Sequence, residues 1–302
     1  MKFYARRISM VICSVAILGC GGWFTWQALS DGQLPLPVSH AEAAIRPAPS
    51  LSVASSSDEL IGKIITLSGL QKQVEEIGDK LLETIRQSPD KPDDPVIAIE
   101  IEKIVAESYK PEHFHQRLRE ALKEDFDRGR IEKLVQALST PLMKRITEIE
   151  GREFDLHMLE AFIEKVIREP LPTYRLHLLQ ALESVTHTTK FAIELTVGVK
   201  RAMLMGLVNN DDAEAMTVFD TKLNEQKKEM TEKMYPAMVI TMAYVYQELN
   251  DAELDAYVQF YLTEEGNWFI TQSVNALAAA FHAGSLQTGK RIAELTMTKK
   301  TK

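Results

Sequence analysis

Cysteine is scarce in this chain: Cys13 and Cys20 are the only two among 302 residues. Both lie in the uncharged run Ile8–Leu29, so residues 58–302 contain no thiol that could form a disulfide, bind a metal or act as a nucleophile. A body without cysteine suits an oxidising compartment, because it has no thiols to mispair. Thiol chemistry is therefore excluded from the body of the protein.

Strand patterns are nearly absent. Alternating apolar and polar runs flanked by hairpin turns do not occur, whereas apolar residues recur every three or four positions over most of residues 58–289. The sequence predicts an all-α protein. Its body is expected to be elongated or bundled and to consist of two tandem helical modules, preceded by an N-terminal hydrophobic helix and a Pro/Ala/Ser linker.

Positive charge is limited as well, since residues 58–302 carry 31 basic and 41 acidic side chains. Nucleic-acid binding requires clustered Lys and Arg to neutralise phosphates, and lying flat on an anionic bilayer requires the same. We therefore expect neither nucleic acid nor an anionic lipid surface as a partner of the body. The sequence leaves the oligomeric state open.

Motifs for catalysis are incomplete. Residues 284–290, GSLQTGK, have the glycine and lysine spacing of a phosphate-binding loop, but Arg291 replaces the magnesium-binding Ser or Thr and no strand precedes the segment. Gly284 is better interpreted as a helix C-cap and turn. The sequence has no nucleophile-elbow motif and no pattern that indicates a Ser–His–Asp triad. We predict no enzyme, no catalytic residue and no cofactor.

Metal-ligand patterns are equally weak. Glu112, His113 and His115 are too close in sequence to share one face of a helix. Glu183 and His187 have the i, i+4 spacing, but no second pair is present to complete a two-metal site in a helical bundle. We therefore predict no metal site.

The N-terminal residues differ from the rest. Residues 1–29 join a basic start to the uncharged run and predict a signal peptide or a transmembrane anchor. Three interpretations stay open: a retained anchor, a lipoprotein signal with lipidation at Cys20, or a signal cleaved after Ala41. Residues 30–57 are rich in Pro, Ala and Ser and predict a disordered linker. Each interpretation places the body in the periplasm, tethered to the inner membrane unless the leader is removed.

Within the body, apolar spacing predicts long amphipathic helices over residues 58–85 and about 174–207. A polar helix is predicted over residues 213–234, and Pro236 is predicted to end it. A separate helix over residues 272–282 closes the body.

The clearest local pattern is a helix, a sharp break and a second helix, which we call the kinked unit. Asn250 is the N-cap of the first helix, Glu253 completes a capping box, and Thr263 caps the second helix. The same pattern occurs 123 positions earlier, with Asp127 and Thr140 at the two caps. The repetition predicts that a helical module is present twice.

A second match supports the repeat, because Leu67–Gly78 aligns with Val185–Thr196 at an offset of 118. A loop insertion accounts for the difference between the two offsets. We therefore predict module 1 at residues 58–172, module 2 at 173–289 and a basic tail at 290–302.

Each module resembles the bacterial family called domain of unknown function 2059. That family closes with a glutamate–leucine helix running into phenylalanine–tyrosine–x–serine–proline–x–glycine. Module 2 has AELDAYVQFYLTEEGNWF at residues 252–269, with Glu264 in place of the proline. Module 1 keeps Thr140 and Pro141 but has Met143 in place of the glycine. The resemblance implies a helical, secreted or periplasmic protein, and it brings no reaction.

Module 2 also holds the densest group of aromatic and Met residues. Such residues usually form a core, but they also line adaptable grooves for an apolar ligand or a partner helix. The predicted groove residues are Met242, Tyr246, Tyr257, Tyr261, Trp268 and Phe269. The leading hypothesis is an envelope interaction or structural protein whose partner is another envelope protein. The alternative is a carrier of a lipid or other apolar ligand.

Overall fold

A computed structural model describes residues 56–87, 92–153, 155–207 and 213–300. These ranges contain twelve helices and no strand, so the all-α prediction is confirmed. In chain order the helices are α1 Ser57–Leu67, α2 Leu70–Gln87, α3 Pro95–Ser108, α4 Pro111–Glu124, α5 Arg128–Leu138, α6 Pro141–Glu150, α7 Leu156–Arg168, α8 Thr173–Thr186, α9 Thr188–Leu207, α10 Ala213–Val245, α11 Asp251–Leu262 and α12 Glu264–Lys300.

The predicted leader at residues 1–29, Cys20 within it, and all but the end of the predicted linker at 30–57 lie outside the described residues. In the part of the chain that is described, none of the helices combines the length and the apolar character needed to cross a bilayer.

The caps of both kinked units form as predicted. Asn250 accepts a hydrogen bond from the Glu253 amide at 3.0 Å, and the Glu253 carboxylate accepts one from the Asn250 amide at 2.9 Å. Thr263 accepts from the amide at position 266 at 3.1 Å. In the earlier unit, Asp127 and Thr140 accept from the amides at positions 130 and 143. Satisfied N-caps fix where α5, α6, α11 and α12 begin.

The prediction of one long helix over residues 58–85 and another over 174–207 is wrong, because each range contains two helices. Gly69 separates α1 from α2 with φ +76°, and His187 separates α8 from α9 with φ +52°. They are the two residues with clearly positive φ in the described part, and they stand 118 positions apart. Apolar spacing continues across each break since both helices of a pair face the same core, which hides the break from a periodicity argument.

His187 offers a direct test of this backbone conformation. Its side chain is exposed, and a left-handed φ is costly for any residue with a Cβ. We expect His187→Gly to raise the free energy of unfolding by about 0.5–1 kcal/mol, measured by urea titration. Gly69→Ala should instead lower it, because the new Cβ would also lie 2.9 Å from Thr147 Cγ2. A destabilised His187→Gly variant would contradict the assignment.

Two further boundaries differ from prediction. Pro236 does not interrupt α10, which continues from Ala213 to Val245. Gly284 is not a C-cap or turn but lies inside α12, where a Cβ would be 2.9 Å from the Ser108 carbonyl oxygen. The predicted helix at 272–282 and the start of the basic tail are therefore parts of one 37-residue helix. Glycine at position 284 permits this close packing, which the local sequence does not reveal.

Helix α12 is the centre of the fold. It packs along α9 and also against α3, α4 and α5, so one core joins residues of both predicted modules. Phe281 lies between the rings of Tyr109 and Phe114, with centroid distances of 6.0 and 5.0 Å. Elsewhere α1 packs on α5, and α8 packs on α11.

Helices α9 and α12 approach each other at a pair of glycines. A Cβ on Gly206 would lie 2.5 Å from the Leu286 carbonyl oxygen, and one on Gly289 would lie 2.3 Å from the Met203 carbonyl oxygen. Both distances are far below any ordinary carbon–oxygen contact. The two backbones can therefore pack this closely only while both positions lack a side chain.

Candidate functional site

The six predicted groove residues are all buried, with exposed fractions between 4 and 9%. Met242 lies on α10 and Tyr246 just after it, Tyr257 and Tyr261 lie on α11, and Trp268 and Phe269 lie on α12. The structure brings the three tyrosines together, with ring centroids 5.8 Å apart for Tyr246–Tyr257 and 5.1 Å apart for Tyr257–Tyr261. All six side chains belong to the hydrophobic core of the protein.

A residue that the sequence analysis missed organises the three tyrosines. Glu150 is the last residue of α6, and its Oε1 accepts hydrogen bonds from Tyr246 Oη at 2.6 Å and Tyr257 Oη at 2.8 Å. Because Tyr257 has already donated its only proton, the 3.0 Å contact with Tyr261 Oη must be donated by Tyr261. The three phenols therefore form a directed chain that ends on one carboxyl oxygen. We call Glu150 and these three residues the tyrosine cluster.

The tyrosine cluster disfavours negative charge. Burial raises the pKa of Glu150 above its ordinary value, and the hydrogen bonds from Tyr246 and Tyr257 offset only part of that rise. Burial, reinforced by the nearby Glu150 carboxylate, likewise raises the pKa of Tyr246, Tyr257 and Tyr261. The phenols therefore stay neutral under ordinary conditions, whereas the carboxyl group changes charge at a higher pH than an exposed glutamate does.

Three arginines surround the connection between α10 and α11, residues 246–250. Arg175 donates to the carbonyl oxygens of Tyr246 at 2.7 Å and Leu249 at 2.9 Å, and to the Asp251 carboxylate at 2.8 Å. Its side chain is only 13% exposed. Its guanidinium is thus the donor to the Leu249 carbonyl and a second donor, beside the Leu249 amide, to the Tyr246 carbonyl.

The other two arginines come from the first half of the chain. Arg145 donates to the Glu253 carboxylate at 2.6 Å and to the Glu248 carbonyl oxygen at 2.7 Å. Arg152 holds the Glu248 carboxylate at 2.5 and 3.1 Å, which keeps the pKa of Glu248 below its ordinary value. The C-terminal end of α6 is therefore fixed to the connection on both sides of Glu150.

Trp268 lies apart from the tyrosine cluster. The Arg130 guanidinium carbon is 4.9 Å from the centre of its ring, within the range of a cation–π contact. Arg130 also donates to Asp125 at 2.8 Å, and this bond holds the pKa of Asp125 below its ordinary value. Trp268 therefore joins α5 to the start of α12.

An open surface depression lies between α1, α2 and α4. Its rim includes Glu112, His115, Arg119 and Lys123, and most of its lining side chains are exposed. Lys123 is paired with Asp58. Within the described ranges, no three His, Cys, Asp or Glu side chains are grouped so that they could hold a metal ion.

Comparison of the chain with family models, with curated proteins and with solved structures gives no match. The resemblance to the domain of unknown function 2059 family therefore stays a prediction, and the candidate site depends on geometry alone.

One signal in the sequence could have identified Glu150. Buried positions of α6 include Met143, Ile146 and Ile149, and position 150 follows Met143 by two helical turns. A glutamate at the edge of an apolar stripe is either exposed or bound to buried donors. Its partners Tyr246 and Tyr257, about a hundred residues away, could not be identified from sequence spacing.

Proposed function

We propose that this protein is a scaffold of the bacterial envelope, tethered at the membrane by its N-terminal segment, whose helical body binds another envelope protein. The observation that carries the proposal is the burial of all six predicted groove residues, at 4–9% exposure. The three tyrosines among them contact one another and hydrogen-bond within the tyrosine cluster, and Trp268 contacts Arg130. This favours the interaction protein over the lipid carrier, and an enzyme is the third candidate.

The proposal includes two copies of one module at residues 58–172 and 173–289. Support comes from the caps at offset 123, from Gly69 and His187 at offset 118, and from reciprocal contacts. Arg130 contacts Trp268, and Arg145 binds Glu253. Position 253 is equivalent to 130, and 268 is equivalent to 145, so the same two positions meet twice in opposite directions between the halves. Isologous contacts of this kind are typical of two-fold related units.

A partner surface on this body should include exposed apolar side chains. Five large apolar side chains in the described part of the chain are more than 55% exposed: Val96, Met158, Ile167, Tyr174 and Leu262. They are spread over several helices, so photo-crosslinking from each of them can locate the partner face. Clustering of crosslinks on one face would be expected of a specific interface.

We therefore expect a photo-reactive amino acid at Ile167 or Tyr174, introduced into growing cells, to give a discrete crosslinked protein band, and the same probe at the exposed Glu148 to give none. Lipid extraction of the purified protein should release no stoichiometric lipid. Stoichiometric lipid without any protein crosslink would favour the carrier instead. Peptide mapping of residues 1–29 in the membrane fraction serves as the control for tethering, since intact peptides exclude cleavage and lipidation at Cys20.

A further inference from the structure

We propose that Glu150 is a proton-binding site that controls the junction between the two halves of the chain. With the proton bound, the tyrosine cluster holds the end of α6 against α11 and the connection at residues 246–250. Without it, the same contact is weakened. The proposal does not depend on the identity of a partner or on the membrane tether.

The geometry of the junction is the first argument. Glu150 belongs to α6, whereas its two direct donors, Tyr246 and Tyr257, belong to the connection and to α11. The three phenols are more than nine-tenths buried. One carboxyl group is therefore the meeting point of elements that are about a hundred positions apart in the chain, and any change in its charge acts on the contact between them.

The charge inventory is the second argument. Among the described residues, the neighbouring charged groups already have partners: Arg145 with Glu253, Arg152 with Glu248, Arg175 with Asp251, and Lys72 with Glu76 and the Gly151 carbonyl oxygen. Glu148 on the same helix is exposed. Glu150 receives hydrogen bonds only from neutral phenols, and no cation lowers its pKa. Glu150 is itself partly buried, so when ionised it would be a poorly solvated charge without a counter-charge in contact.

The sign of the effect follows from burial. The pKa of Glu150 is raised in the folded chain, so its stabilising contribution is complete below the ordinary pKa near 4.5 and is lost as the pH rises to the folded value. Asp125 and Glu248 have lowered pKa values and act in the opposite sense, since their contributions are lost as the pH falls. His157 is exposed and faces Glu160, and thus does not bear on the cluster.

The test is hydrogen exchange of the full-length chain between pH 4.5 and 8, followed by mass spectrometry and corrected for the intrinsic pH dependence of amide exchange. Peptides from α6 and from residues 246–261 report on the junction. In the wild-type chain we expect their protection to fall by up to about tenfold per pH unit until the folded pKa is reached, and then to level off. Peptides from α4 serve as the internal reference.

Two variants isolate the carboxyl group. Glu150→Gln keeps an oxygen that accepts from the phenols but cannot ionise, so its junction peptides should hold the low-pH protection across the whole range. Glu148→Gln, two positions away on the exposed side of α6, should behave like the wild type. A fall in protection in Glu150→Gln equal to that of the wild type would overturn the proposal.

A third variant covers the case in which Glu150→Gln does not fold. Tyr257→Phe removes one donor from the carboxylate, and therefore should move the titration of the Glu150 side-chain carboxyl carbon to higher pH in carbon-13 NMR. In the wild type that titration should already lie above the value of an exposed glutamate. Titration of Glu150 at the ordinary value, or no displacement in Tyr257→Phe, would contradict the assignment.

Discussion

Gly206→Ala is expected to lower the free energy of unfolding by about 3 kcal/mol. The new Cβ would lie 2.5 Å from the Leu286 carbonyl oxygen and 2.6 Å from the Lys290 amide nitrogen, and both of these are backbone atoms of α12. A flexible side chain could rotate away, but a helix backbone can only shift as a whole. The contact between α9 and α12 is the most extensive in the fold, so a shift there disturbs the packing of the core.

Gly198 provides the matched control, because it lies on the same helix and a Cβ there would meet nothing within 4 Å. Gly198→Ala should leave stability unchanged or raise it by up to about 1 kcal/mol, the ordinary gain for alanine inside a helix. Urea unfolding followed by far-ultraviolet circular dichroism measures both variants. Equal effects at positions 198 and 206 would mean that the close approach of the two helices is absent.

Arg175→Ala should destabilise the chain by about 2 kcal/mol, because it removes the charge-assisted hydrogen bonds of a guanidinium that is only 13% exposed, although the paired Asp251 side chain is 41% exposed. The variant would leave the Asp251 carboxylate without its cation and the Leu249 carbonyl oxygen without its donor, and the Tyr246 carbonyl oxygen would keep only the Leu249 amide. These carbonyls follow the end of α10, where no helical amide can replace the guanidinium. Thermal and urea unfolding report the loss.

Two further substitutions make the Arg175 result specific. Arg175→Lys should recover little stability, because one ammonium group cannot reproduce the fork that reaches all three acceptors. Arg152→Ala removes a pair with Glu248 whose side chains are 56 and 50% exposed, and should cost less than about 1 kcal/mol. If Arg175→Ala were as mild as Arg152→Ala, the connection between α10 and α11 would not depend on this guanidinium.

The caps were predictable from the sequence because they are local. Asn250 and Thr263 bond to amides three positions away, so residue type and spacing determine the geometry. The break at His187 was not predictable, since its left-handed backbone is imposed by the packing of α8 and α9 on a common core. Glycine at position 69 was compatible with a left-handed backbone, so a break there could have been suspected. Histidine at the equivalent position 187 gave no such indication.

In the candidate site, too, some residues were predictable from the sequence and others were not. Tyr246, Tyr257 and Tyr261 were predicted as a group because they belong to the densest set of aromatic and Met residues in the chain. Glu150 was missed, since its buried partners come from a distant part of the chain. The same reason hid the function of Gly206 and Gly289, which depends on a crossing of two helices that neither sequence segment specifies alone.

The central position of α12 has a consequence for biosynthesis. Tyr109 bonds to Ser285, which the ribosome adds 176 positions later, and its ring packs against Phe281, which belongs to the same late helix. A nascent chain that ends before α12 therefore leaves the apolar faces of α3 and α4 uncovered, and is expected to need protection from aggregation until synthesis is complete.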